Sequence, residues 1–344
     1  MIPEFEDMIK NEFPNRGIQA ECPVCNSKNQ KVLAAYTSSD PLDHLSISST
    51  RKEYSFLQDQ IKASWVGDSC HFLECQNCKL NFAFPFEAGT NELYSSFYSS
   101  SDSYGSLNWE HRMTGTLINE KINKSNKEVK YFLEMGAGDG AFVKQIAEKY
   151  FKKNNIFCTE SSQYAVNALN DYGITCLKGS SPLNSEDYKS KFHVIAMFQV
   201  LEHLDRIDDL FKIINHISEK NADLFIAVPN YSVRKLYEEN RIFLDVPPVH
   251  ITRWSQDSFQ YLGAKYGWRI INYQVEKVSF FSAAYNFIWN KSLRKSVGKI
   301  KKKFIRKPLI AVLLPPLFLA NFLEIIKLDS KANGISQLVH LNKI

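Results

Sequence analysis

Four of the seven cysteines form two Cys-x-x-Cys pairs, Cys22 with Cys25 and Cys75 with Cys78. Two such pairs supply four thiolates in the tetrahedral arrangement of a structural zinc ion, with no coordination position left open for chemistry. The 49 residues between the pairs exceed the usual gap, so they are expected to loop out of the module. The spacing therefore predicts a structural zinc site. The alternative is four core thiols without a metal; a redox pair is disfavoured because neither motif precedes a helix in a βαβ unit.

A second group of polar residues surrounds a glycine-rich turn. Glu134 precedes this turn, GAGDG at residues 136–140, and Asp139 lies inside it. The pattern also fits the loose dinucleotide motif GxGxxA, but a pyrophosphate binds best at a helix N-terminus without acids nearby. The two acids would instead attract a ligand with an ammonium and a sulfonium group. Glu160, at the end of the next apolar run, is placed to accept hydrogen bonds from both hydroxyl groups of a ribose.

Strands and helices must position these residues. Over residues 129–284, short apolar runs alternate with amphipathic helical patterns, which is typical of a parallel α/β sheet. Helices are predicted after the glycine turn, through Ala165 and Leu169, near Ile207–Ile217 and near Gln256–Tyr266. Strands are predicted at 129–135, 155–160, 174–177, 193–198 and 223–229, and from Trp268 onward. The sequence indicates a doubly wound α/β sheet, which binds its ligands at the carboxyl ends of its strands.

Five segments together carry a resemblance to a known family: EMGAGDG, CTES, FQVLEHL, VPN and PPVHITRWSQDSFQYL. They resemble the small-molecule branch of the class I methyltransferases that depend on S-adenosylmethionine (SAM). Within that branch the chain is similar to bacterial enzymes with an N-terminal zinc-binding module, including sugar C-methyltransferases. The resemblance covers residues 22–275. It implies a mainly parallel, seven-stranded Rossmann-like sheet, with a small zinc-ribbon-like module before it and a helical extension after it.

The resemblance also assigns the cofactor-binding residues. Gly136 and Gly138 would lie beside the methionine part of SAM with Glu134 nearby, Glu160 on the ribose, and Gln199 beside the sulfonium. The acid that usually follows the third strand is missing, because Gly179-Ser180-Ser181 stands there, so the contacts to adenine stay open between Ser180 and the backbone. The predicted cofactor-binding set is Glu134, Gly136, Ala137, Gly138, Gly140, Glu160, Ser161, Ser180, Gln199 and Val200.

Methyl transfer is an in-line displacement at an activated carbon, so the protein must align the acceptor and remove one proton. Histidine suits proton removal near neutral pH. His250 follows the fifth strand, in a connection that arches over the acceptor pocket in this fold, and it is the predicted catalytic base. The alternative is a loop histidine whose hydrogen bonds hold that connection shut. His203 is the second catalytic candidate.

Two further roles stay open. Some quinone O-methyltransferases carry a Glu-x-x-Glu-His metal set at the end of the fourth strand. Here Gln199 replaces the first glutamate, which weakens a magnesium site at Glu202 and His203; these residues could equally cap and pack the following helix. Tyr98 or Tyr104 would line the carboxylate end of the cofactor, unless this aromatic arm is simply an amphipathic helix packed on the sheet.

Charge is unevenly distributed along the chain. Nine Lys or Arg and no acid lie between Lys291 and Lys307, whereas the whole chain has a formal charge of only +5, so the remainder is mildly acidic. This pattern argues against a broad nucleic-acid-binding surface. The apolar run Pro308–Leu323 is shorter than the roughly 20 residues of a spanning helix, and Pro315-Pro316 would break such a helix. It is expected either to pack on the domain or a second subunit, as in a homodimer, or to lie on an anionic membrane surface.

The sequence thus divides into four regions: a zinc-binding module (1–85), a partly helical connecting arm (86–128), a SAM-dependent methyltransferase domain (129–284) and a basic and apolar C-terminal extension (285–344). The N-terminus has no apolar core of signal-peptide length, so a cytoplasmic location is expected. Residues 291–326 would provide any peripheral contact with the inner face of the membrane.

We therefore predict an enzyme that transfers a methyl group from SAM to a small-molecule acceptor, with a nucleotide- or lipid-linked sugar or a polysaccharide favoured. Two alternatives are weighed against it. The first is a zinc-ribbon adaptor that binds SAM without turnover. The second is an RNA methyltransferase, which is disfavoured because residues 1–85 lack dense interleaving of basic and aromatic residues.

Overall fold

Two β-sheets of different size organise the chain in the computed structural model. It describes residues 20–44, 47, 53–90, 93–94, 107–124, 128–240, 242, 246–293, 297, 303–328 and 333–344. The smaller sheet begins in the N-terminal region with three antiparallel strands, β1 (Gln30–Thr37), β2 (Ser69–Cys75) and β3 (Asn81–Phe84). Helices α1 (Asp40–His44) and α2 (Glu53–Trp65) lie between β1 and β2. The long segment between the two cysteine pairs is therefore folded into β1, two helices and most of β2.

Among the described residues, eight strands follow after β3. They are β4 (Phe132–Met135), β5 (Ile156–Glu160), β6 (Thr175–Lys178), β7 (Phe192–Phe198), β8 (Ser218–Pro229), β9 (Thr252–Arg253), β10 (Trp268–Val275) and β11 (Ser336–Lys343). All except β9 form the larger sheet, in the order β10-β11-β8-β7-β4-β5-β6. Strands β4 to β8 pair in parallel, and β11 is antiparallel to both β8 and β10. The predicted doubly wound, mainly parallel, seven-stranded sheet is confirmed.

Among the described residues, six helices accompany this sheet. They are α3 (Trp109–Lys124), α4 (Ala141–Lys149), α5 (Gln163–Asp171), α6 (Ile207–Ile217), α7 (Tyr231–Glu239) and α8 (Gln256–Tyr266). Five of them cover its two faces, and α7 packs with a later helical segment instead. Side chains alternate along β7: Ile195 and Met197 face the core shared with α6, α8 and the cysteine pairs, whereas Val194, Ala196 and Phe198 face α3, α4 and α5. The buried strands read as continuous apolar runs because helices cover both faces.

Helix α3 belongs to the sheet rather than to a loose arm. Ile118 is buried against the same core as α4 and α5, and Trp109 and Met113 pack at its margin. Lys121 Nζ also lies 2.7 Å from Asp223 Oδ2 on β8. The helical part of the predicted connecting arm is therefore an amphipathic helix packed on the sheet.

The N-terminal region is joined to the larger unit through backbone pairing. Strand β9, from the connection after β8, pairs antiparallel with β3 and completes a four-stranded sheet of order β1-β2-β3-β9. In the register, Asn81 faces Arg253 and Phe82 faces Thr252. The cysteine-containing region therefore shares a sheet and a core with the segment after β8, which the sequence boundaries at 85 and 129 do not reveal.

The sequence predicted that the C-terminal region follows the domain as an extension. The structure shows a different arrangement. Helices α9 (Phe280–Ile288), α10 (Lys303–Ala320) and α11 (Phe322–Ile325) are followed by β11, which inserts between β8 and β10. Residues 276–335 are thus an insertion between two strands of the sheet, and the polar tail is one of those strands. Placing all of 285–344 outside the domain was wrong for this reason.

The expected break at Pro315-Pro316 was also wrong, because α10 continues through both prolines and through Pro308. Each proline removes one backbone hydrogen bond of the helix. Packing of Leu313, Leu314 and Leu317 against the apolar cluster of α7 and α9 accompanies the unbroken helix. Among the described residues, no helix is both long and apolar enough to cross a membrane.

Candidate functional site

The glycine-rich turn joins β4 to α4 at the carboxyl edge of the larger sheet. The backbone N–H groups of Gly136 and Ala137 both donate to the carbonyl oxygen of Thr159, at 2.9 and 3.0 Å, which fastens the turn to the end of β5. Gly136 has a φ of +76°. A Cβ atom there would lie 2.5 Å from Cγ2 of Val200, just after β7. Glycine is therefore required both by the backbone conformation and by the close approach of Val200.

Glu160 occupies the end of β5 and links the turn to helix α5. Its Oε2 accepts a hydrogen bond from the N–H of Gly138 at 2.8 Å. Its Oε1 accepts from the N–H groups of Ser161 and Ser162, at 2.7 and 3.0 Å. The predicted ribose-binding carboxylate is thus held in a fixed position by three backbone donors, and ribose hydroxyl groups would have to share its remaining lone pairs.

Glu134 is a carboxyl group buried in the middle of β4. Oε2 of Glu134 has no hydrogen-bond partner among the described residues. Burial raises the pKa of this carboxyl well above its ordinary value, and the charges of Asp139 and Glu160 raise it further. Three acids at one turn favour the binding of a cation, because a nearby positive charge would stabilise the ionised form of Glu134. The chemistry of this group therefore fits the ammonium end of SAM.

Gln199 follows β7 in a strained backbone conformation, with a φ of +54°. Its backbone N–H donates to the carbonyl of Ala227 at 2.8 Å. Its side-chain Nε2 lies 3.2 Å from Oγ of Ser336 and 3.5 Å from Oε1 of Glu110. A left-handed non-glycine residue costs about 1–3 kcal/mol and is found preferentially at functional sites. Gln199, the residue predicted to lie beside the sulfonium, thus has an unfavourable backbone conformation that contacts with the surrounding fold must maintain.

Two partners of this region were missed by the sequence prediction. Glu110 comes from α3 and Ser336 from the first residue of β11, two segments assigned to the arm and to the tail. Glu110 is a buried acidic residue. No local motif marks either residue. A charged residue at an inward-facing position of an amphipathic helix was the one signal that could have drawn attention to Glu110.

His111, also on α3, is a further residue that the sequence did not single out. Its ring stacks on Phe142 at 5.3 Å between centroids and meets the edge of Phe198 at 4.7 Å. Burial lowers its pKa to about 4, partly offset by the charge of Asp139. Its Nδ1 accepts a hydrogen bond from the N–H of Asn108 at 3.1 Å. At neutral pH His111 is therefore uncharged, with its proton on Nε2.

The structure brings the two predicted catalytic histidines together. The rings of His203 and His250 lie 4.5 Å apart and nearly perpendicular. Nδ1 of His203 is 2.6 Å from the carbonyl oxygen of Val249, which fixes the proton on Nδ1 in the neutral ring. Its Nε2 lies 4.0 Å from Oε1 of Glu202, a buried carboxylate. One imidazole of the pair, that of His203, therefore has a fixed orientation, and the nearby acid Glu202 can stabilise a positive charge on it.

Backbone contacts hold the connection after β8 against the short helix Leu201–His203 that follows β7. The N–H of Ile251 donates to the carbonyl of Glu202 at 2.9 Å. Tyr94 also contacts this connection, with its hydroxyl donating to the carbonyl of Val249 at 2.9 Å. Since Val200 touches the glycine turn, the histidine pair and the predicted cofactor-binding residues share one edge of the sheet.

The same side chains include donors that a metal could use. One ligand atom from each of Glu202, His203 and His250 lies within 4.8 Å of the others. The magnesium alternative raised by the sequence for Glu202 and His203 thus has a third candidate ligand, His250. A base role and a ligand role for His250 exclude each other, because a coordinated ring nitrogen cannot accept a proton.

The four cysteines predicted to bind zinc also converge. Sγ of Cys22 lies 3.5 Å from Sγ of Cys78, and Sγ of Cys25 lies 3.4 Å from Sγ of Cys75. All four sulfur atoms lie within 4.8 Å of one another. A tetrahedral zinc with bonds of about 2.3 Å places its sulfurs about 3.8 Å apart. The residues therefore fit a zinc ion, whereas Cys70 is buried in a different apolar cluster.

Of the remaining predicted positions, Ser180 lies at the margin of the site. Ser180 lines an open cleft of about 500 Å³ together with Leu204 and Asp205. The N–H of Gly179 donates to the carbonyl of Glu160 at 3.0 Å, so this cleft adjoins the end of β5. Gly138 and Gly140 have positive φ angles within the turn. Tyr98 and Tyr104 lie outside the described residues.

Comparison with known proteins gives one family match and several remote structural likenesses. Residues 109–273 match the family model described as a methyltransferase domain, a segment just under half of the chain. A SAM-dependent methyltransferase from Archaeoglobus fulgidus is 14% identical, with 73% of this chain and 99% of that chain covered and a TM-score of 0.42. Geranyl diphosphate C-methyltransferase from Streptomyces coelicolor A3(2) is 9% identical, with 68% and 82% covered and a TM-score of 0.41. No curated protein matches the chain.

Residues 109–273 thus match a methyltransferase domain, and this segment carries the strands of the larger sheet except β11 and the end of β10. The matched segment begins at Trp109, so α3 with Glu110 and His111 lies within it. The likenesses to individual solved structures are remote, with sequence identities of 14% and 9%. The acceptor of the methyl group is not identified by them.

Proposed function

We propose that the protein transfers the methyl group of SAM to an oxygen or carbon atom of a small-molecule acceptor, with a nucleotide- or lipid-linked sugar or a polysaccharide end as the favoured class. The observation that carries the catalytic part is the His203–His250 pair, 4.5 Å between ring centroids, at the edge of the sheet that also holds the glycine turn. The acceptor class rests on the sequence resemblance to bacterial sugar C-methyltransferases.

The residues at the turn would hold the cofactor through complementary charge and close backbone approach. Glu134 and Asp139 favour the ammonium of its methionine part, and Gly136 and Gly138 let the backbone come near it. Glu160 would accept hydrogen bonds from the ribose. When bound, SAM supplies a methyl group already activated by the sulfonium, so the protein needs to align the acceptor and exclude water from the carbon being attacked.

His250 would remove the proton that the acceptor loses. The Val249 carbonyl fixes the tautomer of the neighbouring His203 ring, and the Glu202 carboxylate lies close enough to stabilise a positive charge that develops on the pair. This arrangement needs no metal. If Glu202, His203 and His250 instead bind a divalent cation, the cation rather than a histidine would orient and acidify the acceptor hydroxyl.

The zinc site would have a structural role. Four thiolates complete a tetrahedral shell, so the metal has no open position for substrate. Its place between the N-terminal sheet and the core around α6 and α8 is suited to fastening one to the other. This also favours the enzyme over an adaptor, because the cysteine region contributes to the same core and shares a sheet with the connection that carries His250.

The test incubates the purified protein with SAM and pools of nucleotide sugars and looks for products heavier by one methylene group. His250→Gln should lower turnover by about two to four orders of magnitude while SAM affinity stays nearly unchanged. His216→Gln is a matched control, because His216 lies at the end of α6, where its Nε2 contacts the Ser185 carbonyl.

Three results would count against the proposal in different ways. Normal turnover by His250→Gln would remove the base role. Turnover that chelation abolishes and Mg²⁺ restores would favour the metal alternative. Tight SAM binding with no methylated product from sugar, lipid-linked sugar or RNA pools would favour the silent adaptor.

A further inference from the structure

Helix α10 and the short α11 after it carry apolar side chains on two opposite faces. The inner face packs against the cluster that α7 and α9 form, through Ile310, Leu313, Leu314, Leu317 and Phe318. The other face, which we call the outer stripe, consists of Leu309, Val312, Pro316, Leu319, Leu323 and Ile326. Spacings of three and four residues place Leu309, Val312, Pro316 and Leu319 on one side of α10, and the exposed Leu323 and Ile326 follow in and after α11.

The outer stripe is open to solvent. Val312 is 71% exposed, Leu319 is 75% exposed and Leu323 is 69% exposed. Single exposed apolar residues are common on soluble proteins, but a continuous stripe along a helix marks an interaction surface. From Leu309 to Leu319 the stripe is about 15 Å long, at 1.5 Å for each residue of α10. A helix that is already anchored on its inner face holds this stripe in place without further ordering.

Charge at the start of the helix indicates what the stripe binds. The nine Lys and Arg residues between Lys291 and Lys307 lead directly into it, with no acid among them. Of these, Arg306 and Lys307 lie in α10 next to Leu309, with Lys307 exposed. An apolar helix face that continues a basic run is suited to a surface that is anionic outside and apolar beneath, which is the interface of a bilayer.

The insertion emerges at the edge of the sheet that carries the candidate site. In the strand register Val275, the last residue of β10, faces Gln337, and Gln337 faces Val228 near the carboxyl end of β8. Residues 276–335 therefore leave the sheet at the edge where the glycine turn and Gln199 lie. A surface that binds the outer stripe would lie on the same side of the sheet as these residues.

We propose that the outer stripe, together with Arg306 and Lys307 at the start of α10, docks the protein on the anionic surface of a lipid bilayer, with α10 lying in the plane of the interface. The stripe inserts among the acyl chains, and Arg306 and Lys307 contact the lipid head groups. This proposal does not depend on the identity of the methyl acceptor.

Co-sedimentation of the full chain with vesicles tests the docking. With vesicles of phosphatidylcholine and phosphatidylglycerol at 3:1, the protein should pellet at 0.1 M salt, and its affinity should fall at 0.5 M salt because exposed charges are screened. Pure phosphatidylcholine vesicles should bind it far more weakly. Arg306→Ala with Lys307→Ala should weaken binding roughly 25-fold, since each basic residue near such a surface strengthens binding roughly fivefold.

The apolar part has its own variant and control. Val312→Asp, Leu319→Asp and Leu323→Asp combined should reduce binding to the anionic vesicles at least about tenfold, because three charges would enter the acyl region. Phe56→Asp changes a side chain that is 52% exposed on α2 and should bind as the unaltered protein does. All three residues of the triple variant are exposed, so its circular dichroism should match that of the unaltered protein.

Two outcomes would overturn the docking. The unaltered protein could remain in the supernatant with anionic vesicles at low salt. Alternatively, light scattering could show a dimer that the triple variant converts to a monomer while vesicle binding is absent, which would make the outer stripe a contact between two copies of the chain.

Discussion

Glu134→Gln should change stability and cofactor affinity in opposite directions. The substitution keeps the size of the side chain but removes its ability to ionise. In the structure the carboxyl is fully buried, with one oxygen lacking a partner among the described residues and with Asp139 and Glu160 nearby. The cofactor-free protein therefore carries a group that is unfavourable when charged, whereas a bound ammonium would make the charged form favourable.

The sign of the pH effect follows from the raised pKa of Glu134. Below the ordinary value near 4.5 the group is protonated in both the folded and the unfolded protein, so its ionisation has no effect on stability. Above that value the unfolded protein loses the proton first, and the free energy of unfolding falls as pH rises through the folded-state pKa. The Glu134→Gln variant cannot ionise here, so its stability advantage over the unaltered protein should grow between pH 5 and pH 8.

The effect on affinity is set by the lost charged contact. A hydrogen bond to a charged group contributes about 1.5–3 kcal/mol, so the variant should bind SAM about 10- to 150-fold more weakly at pH 8. Urea denaturation at pH 5 and pH 8 without ligand measures the first effect, and titration calorimetry measures the second. Glu148→Gln, an exposed acid on α4, is the control for both. Unchanged SAM affinity in the Glu134→Gln variant would refute the placement of the cofactor at this turn.

Two other substitutions probe the remaining sites. Glu160→Ala should weaken SAM binding by about 1.5–3 kcal/mol in calorimetry, because the ribose loses a charged acceptor; retained affinity would mean that the carboxylate serves the turn and α5 alone. Metal analysis of protein purified without added zinc should find one zinc per chain, lost in Cys78→Ser and retained in Cys70→Ser; a well-folded chain without metal would leave the four thiols as packing residues.

The sequence predicted the parallel part of the sheet well because each strand there is a self-contained apolar run. The strands β5 and β7 and helices α6 and α8 fall close to their predicted positions, whereas β8 begins five residues before its predicted start at 223. The convergence of the four cysteines was also predictable, since the spacing within each pair is a local property. His203 and His250 were selected singly, and only the folded chain shows that their rings are in contact.

What the sequence missed depends on contacts between distant segments. Strand β11 contains Gln337 and His340, which obscure its apolar pattern, and it pairs with β8, more than a hundred residues earlier. The two residues of β9 are too few to give any pattern. Glu110 reaches Gln199 only because α3 packs across the sheet. Such placements are determined by tertiary packing and leave no local signal to read.

Calorimetric titration of the purified protein with SAM, with its demethylated product and with NAD tests the central claim most directly. The acids Glu134 and Asp139 at the glycine turn predict binding of SAM and of the demethylated product and no measurable heat with NAD, whose pyrophosphate those acids repel. Appreciable affinity for NAD together with none for SAM would contradict the assignment of this edge of the sheet as a methyl-transfer site.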